Sequence, residues 1–193
     1  MSDKVSNIFN SERYNTDKYD LGYIDYFYDD FLLKFKDIPI TFMEIGADKG
    51  GSIKLWKDYF HQKTNIFAAD INYFSPVEGT TTIIGNMYSY DQVSKFSDEY
   101  FDLIIDDGPH SFESFVLLIQ RYFSKIKPSG SLIVEDIICS EWVEPLVKLS
   151  QSVGYSKCEV IHMGGKQKTD DLYHRWKDGL FILNITKWLT NSK

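Results

Sequence analysis

The chain has 193 residues, of which 43% are hydrophobic and 16% aromatic, and this composition is typical of a folded globular protein and argues against a disordered one. Its formal net charge of −7 argues against a broad nucleic-acid-binding surface. No apolar stretch is long enough to span a membrane, the N-terminus has no apolar signal region, and two cysteines are too few for a disulfide framework. We therefore expect a cytoplasmic protein with free thiols and a single domain, residues 1–193.

The first 38 residues are predicted to form an irregular polar segment followed by one helix. From Tyr23 to Phe35 the apolar and aromatic residues recur at helical spacing, and Pro39 ends the helix. We expect this helix to pack its aromatic face on the domain. A second interpretation is that Thr16-Asp17-Lys18 and Tyr23 also contribute to a lid over a ligand, so that residues 1–38 form part of a binding site.

The next stretch has the pattern of a strand, a glycine-bearing turn and a helix. Ile40–Ile45 is the predicted strand, Gly46 begins the turn, and Gly50-Gly51-Ser52 precede the helix. Such a turn lets a ligand approach the backbone, and the helix N-terminus favours a negative group such as a carboxylate. The spacing Gly-x-x-x-Gly-Gly differs from the dinucleotide fingerprint Gly-x-Gly-x-x-Gly, and a tight turn without a ligand is the alternative.

Polar residues also end the second and third predicted strands. Asn65–Asp70 ends in an acid roughly twenty residues past the glycine turn, where a carboxylate is placed to accept hydrogen bonds from ribose hydroxyls. The alternative for Asp70 is a cap at the strand end. Thr80–Ile84 is followed by Asn86, which either binds an adenine edge or closes the turn.

Two later strands end in clusters of acids. Phe101–Ile105 is an apolar run typical of a buried strand, and Asp106-Asp107-Gly108-Pro109-His110 follows it. Ser131–Val134 ends in the same way in Glu135-Asp136. If these strands are neighbours, roughly 4.8 Å apart, four carboxylates and one imidazole converge on one crevice. We expect a hard metal ion there, since the acids repel each other without a cation. The alternative is that the acids cap helices and the histidine is structural.

The remaining segments complete an alternation of strands and helices. Ser111 is predicted to cap a helix that continues to Phe123, and Lys127–Gly130 is predicted to be a turn. The alternation predicts an α/β fold with a mostly parallel sheet and an antiparallel strand pair near the C-terminus. The other predicted elements are helices Tyr90–Phe96 and Glu141–Ser152, strands Lys157–Met163 and Leu180–Ile185, and a polar loop Gly164–Lys177.

The polar loop carries several charged and aromatic side chains. Lys166, Lys168 and Arg175 are expected to be solvated, and the alternative is a lid or an anchor for an anionic substrate group. Trp176 is placed either to stack on a sugar ring or to cover the sheet edge.

Together these motifs resemble the class I S-adenosylmethionine-dependent methyltransferases. Glu44-Ile45-Gly46, the stretch from Asp106 to His110, and Val134-Glu135-Asp136 resemble the metal-dependent sugar O-methyltransferases of the macrocin and mycinamicin type. Thr16-Asp17-Lys18 with Tyr23 resembles the N-terminal signature of that group. The resemblance implies a Rossmann-like seven-stranded sheet flanked by helices. It implies S-adenosyl-L-methionine as cofactor, together with Mg²⁺ or another divalent cation.

The resemblance also implies roles for individual residues. Asp107, Glu135 and Asp136 are expected to hold the metal ion, and His110 and Asp107 are expected to be catalytic, with His110 as the general base. The expected cofactor-binding residues are Glu44, Gly46, Ser52, Asp70, Asn86 and Asp106.

The chemistry of hydroxyl methylation explains this combination of residues. A sugar hydroxyl is a poor nucleophile, a divalent ion lowers its pKa, and a histidine can accept its proton. The predicted partner is a hydroxylated small molecule or glycan, with no nucleic acid and no membrane as partner, and a homo-oligomer is left open. Three alternatives stay open: an NAD-dependent oxidoreductase, a catechol-type O-methyltransferase, and a non-catalytic binding module.

Overall fold

The computed structural model describes residues 4–154, 156–176 and 179–188. Seven strands form one sheet in the order β3-β2-β1-β4-β5-β7-β6. The five strands from β3 to β5 are parallel, and β7 is antiparallel to both β5 and β6. This confirms the predicted mostly parallel, Rossmann-like sheet with an antiparallel pair near the C-terminus. The strands are β1 Thr41–Ile45, β2 Asn65–Asp70, β3 Thr81–Ile84, β4 Phe101–Asp106, β5 Ile126–Ile137, β6 Ser156–His162 and β7 Phe181–Lys187.

Helices cover both faces of the sheet, because buried parallel strands need apolar partners on each side. One core joins the N-terminal helical region and the third helix to the sheet around Phe42 and Trp56. The other core joins the fifth and sixth helices to the opposite face around Phe115 and Leu132. The helices are α1 Asp29–Phe31, α2 Leu33–Lys36, α3 Gly51–Tyr59, α4 Tyr90–Val93, α5 Phe112–Tyr122, α6 Ser140–Ser152 and α7 Asp170–Trp176, with a π-helical turn Ile24–Tyr28 and 3₁₀ turns Val5–Asn7 and Phe123–Lys125.

The predicted N-terminal helix is present but interrupted. The π-helical turn Ile24–Tyr28 precedes α1 and α2, and the helical region ends before Pro39. Its aromatic face packs on the domain as predicted: the ring of Tyr28 lies 5.1 Å from the ring of Trp56. The predicted cap of α5 is also confirmed, because Ser111 Oγ accepts a hydrogen bond of 3.2 Å from the backbone N–H of Ser114.

Two segments that we predicted to be irregular contain regular structure. Lys127–Gly130 lies inside β5, because the pairing with β4 shifts between Phe101 and Leu103 and leaves these extra residues within the strand. The polar loop Gly164–Lys177 contains α7, whose side chains Leu172 and Trp176, one turn apart, pack against the core. Lys177 lies outside the described residues. Across the part of the chain that the structure describes, no helix combines the length and apolar character that a membrane crossing requires.

Candidate active site

The carboxyl ends of β1, β4 and β5 meet at one edge of the sheet. Ile45 pairs with Asp106, and Asp106 pairs with Val134, so Asp107 and Glu135 follow from neighbouring strands. A carboxylate oxygen of Asp107 lies within 4.8 Å of one from Glu135, and Asp107 and Asp136 approach each other within the same distance. The structure therefore brings the acids of both strand ends into one crevice.

The backbone is strained at two residues of this crevice. His110 has φ +52° and Asp136 has φ +54°, both in the left-handed region that non-glycine residues rarely adopt. Asp136 lies where the pairing of β5 with β7 shifts between Val134 and Ile137, which is a bulge. Bulges redirect side chains beside active sites, and strain of about 1–3 kcal/mol persists only where surrounding contacts enforce it.

A lysine ammonium lies among the acids. Lys18 is 1% exposed, and its Nζ lies 2.8 Å from Asp107 Oδ2 and also donates a hydrogen bond to Glu135 Oε2. Glu44 Oε1 lies 3.3 Å from the same Nζ. The chain therefore supplies one cation of its own to the acids where we expect a metal ion.

Tyrosines of the N-terminal helical region donate hydrogen bonds to the same acids. Tyr28 Oη donates to Glu135 Oε1 at 2.6 Å, and Tyr23 Oη donates to Asp136 Oδ1. The two tyrosines are five residues apart, and the π-helical turn between them brings both hydroxyls to one side. Lys18 and Tyr23, two of the residues suggested as a lid, thus reach into the crevice and contact its acids.

A second group of atoms that could bind a metal ion lies around His110. Asp107 Oδ1 and Asp136 Oδ2 each lie 3.7 Å from His110 Nε2, which is too far for a hydrogen bond. The Nδ1 atom of His110 is buried and has no hydrogen-bond partner among the described residues. One side of the crevice therefore holds carboxylate oxygens that face a shared space.

A cavity of about 470 Å³ lies beside the crevice, between the loops after β1, β2, β3 and β4. Three of the predicted cofactor residues line it: Gly46, Asp70 and Asn86. Ser52 lines a neighbouring cavity of about 410 Å³ together with His110. Gly46 and Asp107 line both cavities, so the two spaces adjoin at this point.

Gly46 occupies a position where no other residue fits. Its φ is +94°, and a Cβ atom built on it would lie 1.8 Å from the backbone oxygen of Asp107. The backbone N–H of Asp107 in turn donates to the carbonyl of Ile45 at 2.8 Å. The glycine therefore allows the loops after β1 and β4 to lie in direct contact.

The polar residues at the ends of β2 and β3 organise their own turns. Asp70 accepts hydrogen bonds from the backbone N–H groups of Asp48 at 2.9 Å and Asn72 at 2.8 Å. Asn86 Oδ1 accepts from the backbone N–H of Tyr88 at 3.0 Å, so it closes the turn. Both side chains line the larger cavity, so closing the turn and contacting a ligand are compatible.

The remaining predicted cofactor residues, Glu44 and Asp106, are fully buried and line neither cavity. Glu44 Oε2 accepts a hydrogen bond of 2.8 Å from Trp56 Nε1, and Asp106 Oδ1 accepts one from Tyr88 Oη. Burial raises the pKa of Glu44, and it raises the pKa of Asp106 to about 7. Glu44 and Asp106 therefore do not border either cavity themselves.

Known proteins are similar to this chain in both sequence and fold. Demethylmacrocin O-methyltransferase of Streptomyces fradiae is 28% identical over 146 residues, covering 68% of this chain and 36% of that protein. A solved structure of MycE methyltransferase from the mycinamycin biosynthetic pathway, in complex with Mg, SAH and mycinamycin VI, has TM-score 0.60 and 26% identity over 73% of this chain and 39% of that chain. This chain is a distant relative of the macrocin- and mycinamicin-type sugar O-methyltransferases.

The relationship has clear bounds. The chain spans a little over a third of the length of these sugar O-methyltransferases, and no family model matches it. An arsenic(III) S-adenosylmethionine methyltransferase of Chlamydomonas reinhardtii, 13% identical with TM-score 0.51 over 82% of this chain and 66% of that one, shares the fold alone.

The sequence did not reveal the role of several residues in the candidate site of this chain. It indicated Lys18 and Tyr23 as parts of a signature but not their contacts with the acids, and it indicated for Tyr28 only a place on an apolar face. A lysine and two tyrosines within eleven positions were the available signal, since long polar-tipped side chains on a buried helix need partners. Their partners lie far away in the sequence, so the signal could not name them.

The polar loop contacts the N-terminal segment. Lys168 Nζ lies 3.6 Å from the ring centroid of Tyr19 and forms an ion pair with Asp25, and the backbone N–H of Lys168 donates to the carbonyl of Asp20 at 2.8 Å. Lys166 lies over the ring of Tyr26. These contacts are with protein, so the two lysines fasten this loop to the N-terminal segment. Arg175 is exposed, while Trp176 covers part of the core.

Proposed function

We propose that this chain transfers a methyl group from S-adenosylmethionine to a hydroxyl of a sugar or glycoconjugate, with Mg²⁺ or another divalent cation in the crevice. The observation that carries the proposal is the contact between the two cavities at Gly46 and Asp107. One cavity is lined by Asp70 and Asn86, which suit a nucleoside, and the other is lined by Asp107 and His110. The related MycE was solved with Mg and SAH, which supports the same pair of ligands here.

The donor atoms of the outer part of the crevice fit a divalent ion. Asp107 and Asp136 each offer a hard carboxylate oxygen, these oxygens lie within 4.8 Å of each other, and Mg²⁺ prefers such ligands. Burial raises the pKa of Asp136 and of Glu44 despite Lys18, so one ammonium compensates the acids incompletely. A further cation would stabilise their charged forms.

Glu135, the third proposed ligand, is in a different situation. Its two carboxylate oxygens accept hydrogen bonds from Lys18 and Tyr28. To bind the ion as well, Glu135 would have to share or release one of these donors. We therefore propose Asp107 and Asp136 as the principal ligands, with Glu135 as an additional ligand or as the support that holds Lys18 in place.

The residues of the chain divide the remaining work. A divalent ion held by Asp107 and Asp136 would lower the pKa of the acceptor hydroxyl, and S-adenosylmethionine would give its methyl group to that oxygen and leave as S-adenosylhomocysteine. Asp70 and Asn86 orient the nucleoside part of the donor. His110 Nε2 accepts the hydroxyl proton, and the nearby carboxylates of Asp107 and Asp136 stabilise the resulting imidazolium.

The N-terminal region completes the proposed site. We propose that residues 1–38 act as a lid within a single methyltransferase domain, residues 1–193. Tyr23 and Lys18 support this role because both contact the acids from above the strand ends. Excluding water from the crevice would strengthen the interactions of the reacting groups.

Chelation tests the metal requirement. The purified chain is incubated with S-adenosylmethionine and a panel of glycosylated macrolides and simple glycosides, with excess chelator and then with added Mg²⁺. We expect turnover to disappear and then return, because acceptor ionisation depends on the ion. Asp107→Asn should lower turnover at least about 100-fold, whereas Asp30→Asn, at a side chain 84% exposed, should leave it unchanged. Full activity in excess chelator would refute the metal role.

The role of His110 has its own test. His110→Ala should lower turnover by on the order of 10²–10⁴-fold, the usual contribution of a general base. The affinity for S-adenosylmethionine, measured by calorimetry, should stay close to that of the unmodified chain, and His162→Ala, at an exposed histidine, serves as control. If cofactor binding collapses instead, His110 is structural or contacts the cofactor.

Ligand binding separates the alternatives. Calorimetry with S-adenosylmethionine and with NAD distinguishes a methyltransferase from an oxidoreductase, and binding of NAD alone would overturn the proposal. A catechol in the acceptor panel tests the catechol-type alternative, because catechols and sugars both present two vicinal oxygens that a metal ion can bind. Donor binding without transfer to any hydroxylated acceptor favours the non-catalytic module.

A further inference from the structure

The acids of the crevice form two clusters that share one residue. The inner cluster consists of Glu44, Asp107 and Glu135, which surround Lys18 Nζ. The outer cluster consists of Asp107, Asp136 and His110. The two oxygens of Asp107 separate them, because Oδ2 faces Lys18 and Oδ1 faces His110.

The inner cluster has the geometry of a metal site on its own. One carboxylate oxygen from each of its three acids lies within 4.8 Å of the other two. Glu44 Oε1 is buried and, among the described residues, has no hydrogen-bond partner. A buried carboxylate oxygen without a hydrogen bond is stabilised by a cation beside it. Lys18 Nζ, 3.3 Å away, is the cation that the structure places there.

We infer that Lys18 is a positioning residue that occupies the inner cluster in place of a metal ion and thereby confines a divalent cation to the carboxylates of Asp107 and Asp136 in the outer cluster. The lysine also draws Asp107 Oδ2 inward, which leaves Oδ1 to face Asp136. The outer ion rests on the proposed function, whereas the exclusion of metal from the inner cluster does not.

The N-terminal segment holds Lys18 firmly enough for this role. The carbonyl of Lys18 accepts a hydrogen bond of 3.3 Å from the backbone N–H of Ile24, and Asp17 accepts one of 2.8 Å from Leu21. The side chain then extends into a site from which solvent is excluded. Because this cation belongs to the chain, it stays in place when free metal is scarce. Its hydrogen bonds to Asp107 and Glu135 also fasten the N-terminal segment to the strand ends.

Counting bound ions tests the inference on the full chain. Metal-stripped protein is titrated with Mn²⁺ and the stoichiometry is measured by calorimetry and by electron paramagnetic resonance. Lys18→Met should bind one ion more than the unmodified chain, because the three inner oxygens become free. Lys148→Met removes the same charge from a side chain 71% exposed and should gain none. A Lys18→Met protein that is folded and gains no ion overturns the inference.

Thermal unfolding supplies a second readout. Without metal, Lys18→Met should unfold roughly 6–20 °C lower, as expected when one partner of a buried charge cluster is lost. Millimolar Mn²⁺ should restore most of this loss, and it should raise the midpoint of Lys148→Met no more than that of the unmodified chain. A merely structural lysine would lower the midpoint without creating an ion-dependent recovery.

A double variant covers the case in which Lys18→Met does not fold. Lys18→Met with Glu135→Gln removes one positive and one negative charge, so the inner cluster keeps its net charge and Tyr28 keeps an acceptor. It should unfold within a few degrees of the unmodified chain and bind the same number of ions. A double variant as unstable as the single one contradicts the inference. If the unmodified chain binds no Mn²⁺ but Lys18→Met binds one, the outer ion fails and the inner assignment stands.

Discussion

Replacing Gly46 with Ala tests whether the contact between the loops after β1 and β4 holds Asp107 in place. The added Cβ would lie 1.8 Å from the backbone oxygen of Asp107, well inside any allowed contact. Backbone cannot rotate away as a side chain does, so the two loops must separate by more than about 1 Å. The substitution therefore moves a proposed metal ligand without altering its chemistry.

The size of the effect follows from two contributions. Holding Ala at φ +94° costs about 1–2 kcal/mol, and forcing the loops apart costs roughly 1–3 kcal/mol more. Gly79→Ala provides the matched control: its φ is +77°, but the nearest atom is the flexible Lys57 Nζ at 3.4 Å. Only the first contribution applies to Gly79, so the difference between the variants isolates the contact with Asp107.

Thermal unfolding and Mn²⁺ titration measure both consequences. At roughly 2–4 °C per kcal/mol for a chain of this size, Gly46→Ala should unfold about 4–20 °C lower and Gly79→Ala about 2–8 °C lower. Only Gly46→Ala should weaken Mn²⁺ binding and methyl transfer, by about 100-fold for transfer if Asp107 moves by 1 Å. Equal losses of stability with unchanged Mn²⁺ affinity in both variants would refute the reasoning.

Two further substitutions test the buried hydrogen bonds. Tyr28→Phe removes a donor from the buried carboxylate of Glu135 and should lower the free energy of unfolding by about 1.5–3 kcal/mol in urea titrations, whereas Tyr73→Phe, at a side chain 79% exposed, should change nothing. Burial raises the pKa of Asp106 to about 7, so the folded state binds this proton more tightly than the unfolded state. The stabilisation that this proton gives to the folded state is complete below about pH 4 and is lost as the pH rises towards 7. Asp106→Asn should therefore flatten the fall of the thermal unfolding midpoint over this range, measured in the presence of chelator. An unchanged slope would contradict the raised pKa of Asp106.

Much of the fold could be predicted because its signals are local. The apolar runs and the residues that end them placed every strand except β5 within two positions at each end, and Ser111 was identified as a cap from its place before an apolar periodic segment. Lys127–Gly130 has the composition of a turn, yet it lies within β5 as extra residues between Ile126, which pairs with Phe101, and Ser131, which pairs with Leu103.

The candidate site was predicted less completely. Acids after two strands pointed to a shared crevice, and the register of β4 with β5 brings them together. The bulge at Asp136 and the left-handed backbone at His110 left no mark in the sequence, although they decide which atoms face each other. The hydroxyl groups of Tyr23 and Tyr28, which donate hydrogen bonds to Asp136 and Glu135, come from a helical region whose aromatic spacing predicted only packing.

The sequence by itself determined the order of strands and helices and the acidic character of the strand ends, because periodicity and strand termination depend on neighbouring residues. Only the tertiary structure decided which cation lies among those acids. Lys18 is separated by 89 positions from Asp107 and by 117 from Glu135, and no local pattern relates residues so far apart. Folding brings them together because burying several carboxylates is unfavourable until a positive charge lies beside them.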